Sequence, residues 1–244
     1  MTILITGGAG FLGSHLTDRC LLGGHKVIVV DNFITGQKKN IEHHLNDSQF
    51  QFINHDITKP LSIDEKVDQI YHLASPASPH PTSSKSYHQL PFETMQVNTT
   101  GTWNMCELAL KHNASLLFAS TSESYGDPLE HPQKETYRGN VSTTGPRSVY
   151  DEAKRFGETI VAAFARSKGL NGKIIRIFNT YGPRMSLDDG RMLIEFITRA
   201  LKNEPLIVYG DGSQTRSLCY VSDLIEGVVK VMQTNDTTGD IINL

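Results

Sequence analysis

The chain has 244 residues, 38% hydrophobic and 20% charged, with a formal net charge of −3. That length supports a full core in one domain, or one domain with a small companion, and the charge excludes a polybasic nucleic-acid or membrane surface. No apolar run approaches the ~20 residues that span a bilayer, and Cys20, Cys106 and Cys219 fit no zinc spacing, so they read as reduced thiols.

Thr2–Thr6 is a short apolar run ending in glycines, as a buried parallel strand does. No basic stretch precedes it, so a secretory signal is not expected and the cytoplasm is the expected location. Helical spacing follows over Phe11–Leu22 until Gly23-Gly24 stops it, and Lys26–Val30 is a second β-branched run with Asp31 at its end. Gly7, Gly10 and Gly13 sit in the first turn with G-x-x-G-x-x-G spacing. Such glycines permit a tight turn, close approach of a pyrophosphate and close helix–strand packing, and the helix N-terminus aims N–H groups at phosphate. Asp31 can accept both ribose hydroxyls of NAD and repel the extra phosphate of NADP. A glycine-rich turn and a strand-end aspartate with no ligand are the plainer alternatives.

Phe50–Asn54 reads as a third strand followed by Asp56, which could hold an adenine amino group or cap the next segment. Gln69–Leu73 is a fourth strand, ending in Ala74-Ser75-Pro76, and residues 76 to 91 read as a loop rich in Pro, Ser and His. A helix is predicted over Thr94–His112, a strand over Leu116–Ser120, a loop over 126 to 147, a helix over Ser148–Arg166 and a strand over Lys173–Ile177. Helices over Met192–Leu201 and Val221–Met232 and a short strand over Leu206–Tyr209 follow, read as a small lobe laid over the sheet edge. Ile241–Leu244 reads as a strand whose following helix is missing. Strands alternating with helices predict an α/β fold, a Rossmann-type doubly wound parallel sheet, with a small, incomplete C-terminal lobe. The expected division is 1–183 for the dinucleotide-binding domain and 184–244 for the partial lobe.

Tyr150 and Lys154 are one helical turn apart on one face. An ammonium beside a tyrosine lowers the cost of the phenolate and makes it a usable base. Thr121, Ser122 and Glu123 follow a buried strand, and in an extended segment Thr121 and Glu123 would face the same side. Arg184, Arg191 and Arg216 are candidates for a diphosphate, with solvent as the commoner fate of each. Ten histidines include His43-His44 but no H-x-x-x-H pair, so no metal site is expected.

The glycine turn, Y-x-x-x-K and Arg176-Ile177-Phe178-Asn179-Thr180-Tyr181-Gly182-Pro183 together resemble the extended short-chain dehydrogenase/reductases, NAD-dependent enzymes of nucleotide sugars, over the whole chain. Tyr71-His72-Leu73-Ala74-Ser75-Pro76-Ala77-Ser78-Pro79, Ser120-Thr121-Ser122-Glu123, Gly145-Pro146-Arg147 and Gly212-Ser213-Gln214-Thr215-Arg216 narrow the resemblance to the UDP-glucuronate decarboxylases, the UDP-xylose synthases. It implies NAD contacts from Gly7, Gly10, Phe11, Leu12, Gly13, Asp31, Asn32, Phe33, Thr35, Gly36, Asp56, Ile57, Leu73, Ala74, Ser75, Ala119, Tyr150, Lys154, Thr180 and Arg191. It implies contacts to UDP-glucuronate from Pro76, Glu123, Tyr150, Asn179, Arg184, Gln214 and Arg216. Three departures stand out. The segment 80–96 differs from the family's usual sequence, with Gln96 where a lysine is common. Ser186 replaces a usual histidine, and roughly the last quarter of a full family chain is absent.

The chemistry so implied oxidises the sugar at C4, loses CO₂ from the resulting β-keto acid, and returns the hydride. Tyr150 would take the C4 hydroxyl proton, Lys154 would lower the tyrosine pKa and bind the nicotinamide ribose, and Thr121 would align the C4 oxygen. Glu123, with Ser122 beside it, would act near C5. The resemblance also implies a homodimer through the helices 94–112 and 148–166. A 4,6-dehydratase, a 4-epimerase and a truncated, inactive NAD-binding homologue are the alternative readings. Asp-Glu after the threonine is usual in the dehydratases, and Ser122 departs from it.

Overall fold

β-branched and leucine-rich runs flanked on both sides by helices bury both faces of each strand, which is what a parallel sheet requires. In the computed structural model, which describes residues 1–208, 210–235 and 237–244, they form one seven-stranded sheet. The strands are β1 (Thr2–Thr6), β2 (Lys26–Asp31), β3 (Phe50–Asn54), β4 (Gln69–His72), β5 (Ser115–Thr121), β6 (Gly172–Ile177) and, after two short strands, β9 (Ile241–Asn243). Their order is β3-β2-β1-β4-β5-β6-β9, and every pairing is parallel. The chain therefore winds outward from β1 to β3, crosses back to β4 and winds the other way. The reversal between β1 and β4 opens a crevice at the carboxyl ends of the strands.

Side-chain alternation divides the core in two. Leu4, Ile28, Val30, Ile70, Leu116 and Phe118 point to one face, and Ile3, Ile5, Val27, Val29, Tyr71 and Leu117 to the other. The helices α3 (Thr102–His112) and α4 (Ser148–Lys168) cover the first face, and α2 (Pro91–Gln96) packs on α4. The second is covered by α1 (Phe11–Leu22) and α6 (Val221–Gln233). Between α2 and α3 the helix does not stop. Val97–Gly101 forms a π-helical turn, where Asn98 Nδ2 donates to Ser75 Oγ and Thr102 Oγ1 donates to the Asn98 carbonyl, each at 2.8 Å. Gly157 of α4 packs against this turn, and a Cβ there would lie 2.9 Å from the Asn98 carbonyl oxygen and 2.5 Å from Phe118.

The expected strands and helices of the first 177 residues are present with ends shifted by a few residues. The C-terminal elements are arranged differently from a lobe laid over the edge. α6 packs against α1, and β9 pairs with β6 as the seventh strand. The expected boundary at 183/184 falls just after β7 (Asn179–Tyr181), which pairs with β8 (Leu218–Tyr220) in a separate two-stranded sheet. Between them lies α5 (Met192–Leu201), amphipathic yet without a buried residue. Residues 206–208 are not a strand, and Tyr209, the end of that expectation, lies outside the described residues. Among the described residues no helix is long and apolar enough to cross a membrane.

Candidate active site

The strand ends on either side of the crevice form a cavity of about 330 Å³. Its floor begins with the glycine turn. Gly7 has φ +71°, and a Cβ on Gly13 would stand 2.2 Å from the Gly7 carbonyl oxygen, so both glycines are required by the turn itself. Gly10 differs: a Cβ there would meet only the Gly7 oxygen, at 3.1 Å, and otherwise enter the cavity. No side chain caps α1, and its first turn holds no acidic residue. That leaves a cradle of N–H groups suited to a diphosphate. Asp31 stands beyond it at the end of β2. Its Oδ2 accepts the Ala9 N–H at 3.0 Å and its Oδ1 the Phe33 N–H at 2.8 Å. Burial raises its pKa, and these two N–H bonds oppose the rise. A carboxylate held this firmly still offers a second lone pair on each oxygen to ribose hydroxyls. The residues present therefore fit a dinucleotide.

Of the residues expected at the cofactor, Gly7, Gly10, Phe11, Leu12, Gly13, Asp31, Asn32, Thr35, Asp56, Ile57, Leu73, Ala74, Ser75, Ala119 and Thr180 line this one cavity. Phe33 and Gly36 do not. Phe33 takes φ +60° and packs on Phe52, and Gly36 lets its loop pass over Asp31, where a Cβ would sit 2.8 Å from Oδ1. Asp56 lines the cavity, and its Oδ1 accepts the Thr58 N–H and hydroxyl at 3.0 and 2.8 Å, the capping role considered for it. Arg191, expected at the cofactor, lines the cavity but spends its guanidinium on Asp189 at 2.9 Å and on the Ala77 carbonyl at 2.8 Å.

Pro76, Asn179 and Arg184, expected at the substrate, also line the cavity. Arg184 adopts φ +66°, binds Asp18 at 2.6 Å and leaves Nη1 buried without a partner. Gln214 and Arg216 are not brought to the site. Both are exposed beyond it, and Arg216 donates to the neighbouring Thr215 carbonyl. Asp18, His43 and His44 put three potential ligand atoms within 4.8 Å of one another. A divalent ion there would face the Arg184 guanidinium on the same carboxylate.

At the far end of the cavity stand Thr121, Ser122, Glu123, Tyr150 and Lys154. Thr121 ends β5, but Ser122–Tyr125 is a 3₁₀ turn rather than extended chain. Thr121 Oγ1 caps that turn by accepting the Glu123 N–H at 3.2 Å. A tight turn, not strand alternation, thus brings Thr121 and Glu123 together. Tyr150 is buried, and burial pushes its pKa up, with the Glu123 charge adding to the rise. Arg191 and a hydrogen bond with Thr121 oppose it. Lys154, one turn along α4 from Tyr150, makes its hydrogen bond elsewhere. Its ammonium donates to the Ala119 carbonyl at 2.7 Å and stands 5.8 Å from the centre of the Tyr150 ring. Burial lowers the lysine itself to about 7, with Glu158, one turn further along α4, opposing the fall.

Several residues of this site were not singled out from the sequence. Tyr87, from the atypical segment, lies parallel to Tyr150 with ring centres 4.9 Å apart and planes 9° from coincidence. Its hydroxyl is 3.5 Å from Glu123 Oε2. Arg147 forms an ion pair with Glu123. Asp151, beside Tyr150, is 7% exposed, and burial followed by the Glu123 charge pushes it up to about 7. Tyr87 carried no signal, because a tyrosine in a loop is ordinary. Arg147 and Asp151 belong to motifs already noted, but their burial depends on how α4 meets the turn after β5.

Residues 3–244 match the model of the NAD dependent epimerase/dehydratase family. The chain is 54% identical over 233 residues to UDP-glucuronic acid decarboxylase 1 of Xenopus tropicalis, an alignment covering 96% of this chain and 54% of that protein. The chain spans about half the length of the first curated relatives it matches. Two solved structures share the fold over 100% of this chain. One is a dTDP-glucose 4,6-dehydratase from Streptomyces venezuelae with NAD bound, at 26% identity, TM-score 0.86 and 75% of that chain covered. The other is a UDP-glucuronic acid 4-epimerase from Bacillus cereus in complex with UDP-glucuronic acid and NAD, at 29% identity, TM-score 0.80 and 77% covered.

Proposed function

We infer that this chain, which belongs to the NAD dependent epimerase/dehydratase family, decarboxylates UDP-glucuronate to UDP-xylose through a 4-keto sugar. The observation that carries the reading is the convergence of Thr121, Glu123 and Tyr150 on one end of the NAD-type cavity, in a chain 54% identical to a curated decarboxylase. NAD, when bound, supplies a two-electron store that takes hydride from C4 and gives it back. Tyr150 accepts the C4 hydroxyl proton and later returns it to the same oxygen. Thr121, which shares this end of the cavity with Tyr150, aligns that oxygen. Lys154, which donates to the Ala119 carbonyl, binds the nicotinamide ribose in this reading. Arg184, with one buried unpartnered nitrogen, is suited to an anionic group of the nucleotide.

Glu123 and the sugar carboxylate would repel in a dry site. Arg147 on Glu123 offsets that repulsion, which favours an acidic sugar here. Exposed Phe92, Trp103 and Phe156 on the α2–α4 layer support the homodimer suggested by the resemblance, with these helices as the contact. The test is incubation of the chain with NAD and UDP-glucuronate, followed by mass analysis. A product lighter by one CO₂ is expected. An epimer of unchanged mass, or dehydration of a neutral nucleotide hexose instead, would replace this reading.

A further inference from the structure

Exchanging a sugar carboxylate for hydrogen with release of CO₂ takes up one proton in each turnover. Tyr150 cannot provide it, because the proton it removes from O4 must return to O4 when the hydride returns to C4. A second proton donor is therefore needed at C5. Asp151 is buried beside the site, and its Oδ1 has no hydrogen-bond partner. Its carboxyl group stands near Glu123, whose charge adds to the rise that burial gives its pKa. Two carboxyl groups can hydrogen-bond only when one of them carries a proton. Arg147 pairs with Glu123 and offsets one negative charge, leaving a second buried carboxylate uncompensated. A proton held by the pair removes that charge.

We propose that Asp151 and Glu123 form an acid–carboxylate pair that stores the proton delivered to C5. The proposal rests on the decarboxylase reading above. As the C5–C6 bond breaks, its electron pair enters the C4–C5 enolate and CO₂ departs. The pair's one proton moves from Asp151 to Glu123 and from Glu123 to C5, and the C5–H bond forms while the C4 carbonyl is restored. One proton from water then recharges Asp151 after each turnover. Asp151 touches no substrate atom and is a positioning residue for the proton. The other groups facing it are Arg147, whose charge opposes protonation, Glu152, which favours it, and Tyr87, stacked on Tyr150.

Asp151→Asn keeps the shape and removes the stored proton. Mixing this variant with NAD and UDP-glucuronate is expected to give reduced-cofactor absorbance as in wild type, while UDP-xylose formation falls about 10²–10³-fold. The wild-type rate is expected to fall as pH rises through about 7, where the pair loses its proton. That limb should vanish in Asp151→Asn and persist in Asp151→Glu. Wild-type turnover with an unchanged pH profile in Asp151→Asn would overturn the proposal. If Asp151→Asn does not fold, a wild-type profile without the falling limb overturns it equally. No CO₂ from wild type would sink the decarboxylase reading along with this one, whereas turnover that is indifferent to Asp151→Asn sinks the proton store alone.

Discussion

Glu158→Gln is the most direct probe of how the site is held. Glu158 and Arg176 form an ion pair with side chains only 9% and 6% exposed. Arg176 donates from Nε to Oε1 at 2.8 Å and from Nη2 to Oε2 at 2.7 Å, and Ser120 Oγ donates to Oε1 at 2.5 Å. The guanidinium also lies 4.4 Å from the centre of the Tyr125 ring, and its Nη1 already lacks a partner. Glutamine preserves the shape but places an NH₂ donor against a guanidinium donor and leaves the Arg176 charge uncompensated. Breaking a buried pair from one side costs about 3–5 kcal/mol. Against a total stability of roughly 5–15 kcal/mol this is a large fraction. At about 2–4 °C per kcal/mol for a chain of this size, Tm should fall by roughly 6–20 °C. Urea unfolding should show a lower midpoint with an unchanged slope. The double variant Glu158→Leu/Arg176→Met should recover much of the loss, because removing both charges leaves none buried alone. A Glu158→Gln variant within about 1 kcal/mol of wild type, or a double variant worse than the single one, would refute the reasoning.

Tyr150→Phe should still bind NAD but give no reduced-cofactor signal with UDP-glucuronate, read by absorbance on mixing. Asp31→Ser should weaken NAD binding and narrow its advantage over NADP, measured by calorimetric titration of both; unchanged discrimination would remove Asp31 as the selector. The lysine gives a stability test whose sign can be worked out. Burial lowers Lys154 to about 7, below its unfolded value, so between pH 7 and roughly 10 the unfolded chain binds the extra proton. Stability contributed through this group therefore rises with pH across that window. Wild type should gain stability relative to Lys154→Met as pH is raised, followed by urea midpoints at each pH, and a difference that is flat or of opposite slope would contradict the burial argument.

The dinucleotide half of the site was legible because its signal is local. The glycine spacing, the flanking strand and helix, and Asp31 all lie within one βαβ unit, and each is fixed by short-range geometry. The far end of the cavity was legible in the residues that line it, Thr121, Ser122, Glu123, Tyr150 and Lys154, but not in their connections. Lys154 donating to the Ala119 carbonyl depends on α4 packing over β5, as does the approach of Asp151 to Glu123. The Glu158–Arg176 pair is carried by α4 and β6 and has no sequence pattern at all. Gln214 and Arg216 were assigned by motif alone, and the segment bearing them is exposed beyond the cavity. The three-residue strands β7 and β8 were missed because so short a run has no alternation to read.

The π-helical turn at Val97–Gly101 has a consequence for how this helix could change. A π turn holds one residue more than the surrounding α-helix requires, and one residue corresponds to about 100° of rotation about the axis. Glu93 and Gln96, which line the cavity, lie before the turn, whereas Met105, Cys106, Leu108 and Ala109, which fill the core, lie after it. The turn thus acts as a phase adjuster: it lets one continuous helix present a polar face to the crevice and an apolar face to the sheet at an angle that regular winding would not give. Deleting a single residue there would yield a more regular helix whose upstream turn was misaimed by about a quarter of a revolution. An insertion or deletion in this stretch should therefore register as a change in ligand contacts before it registers as a loss of fold.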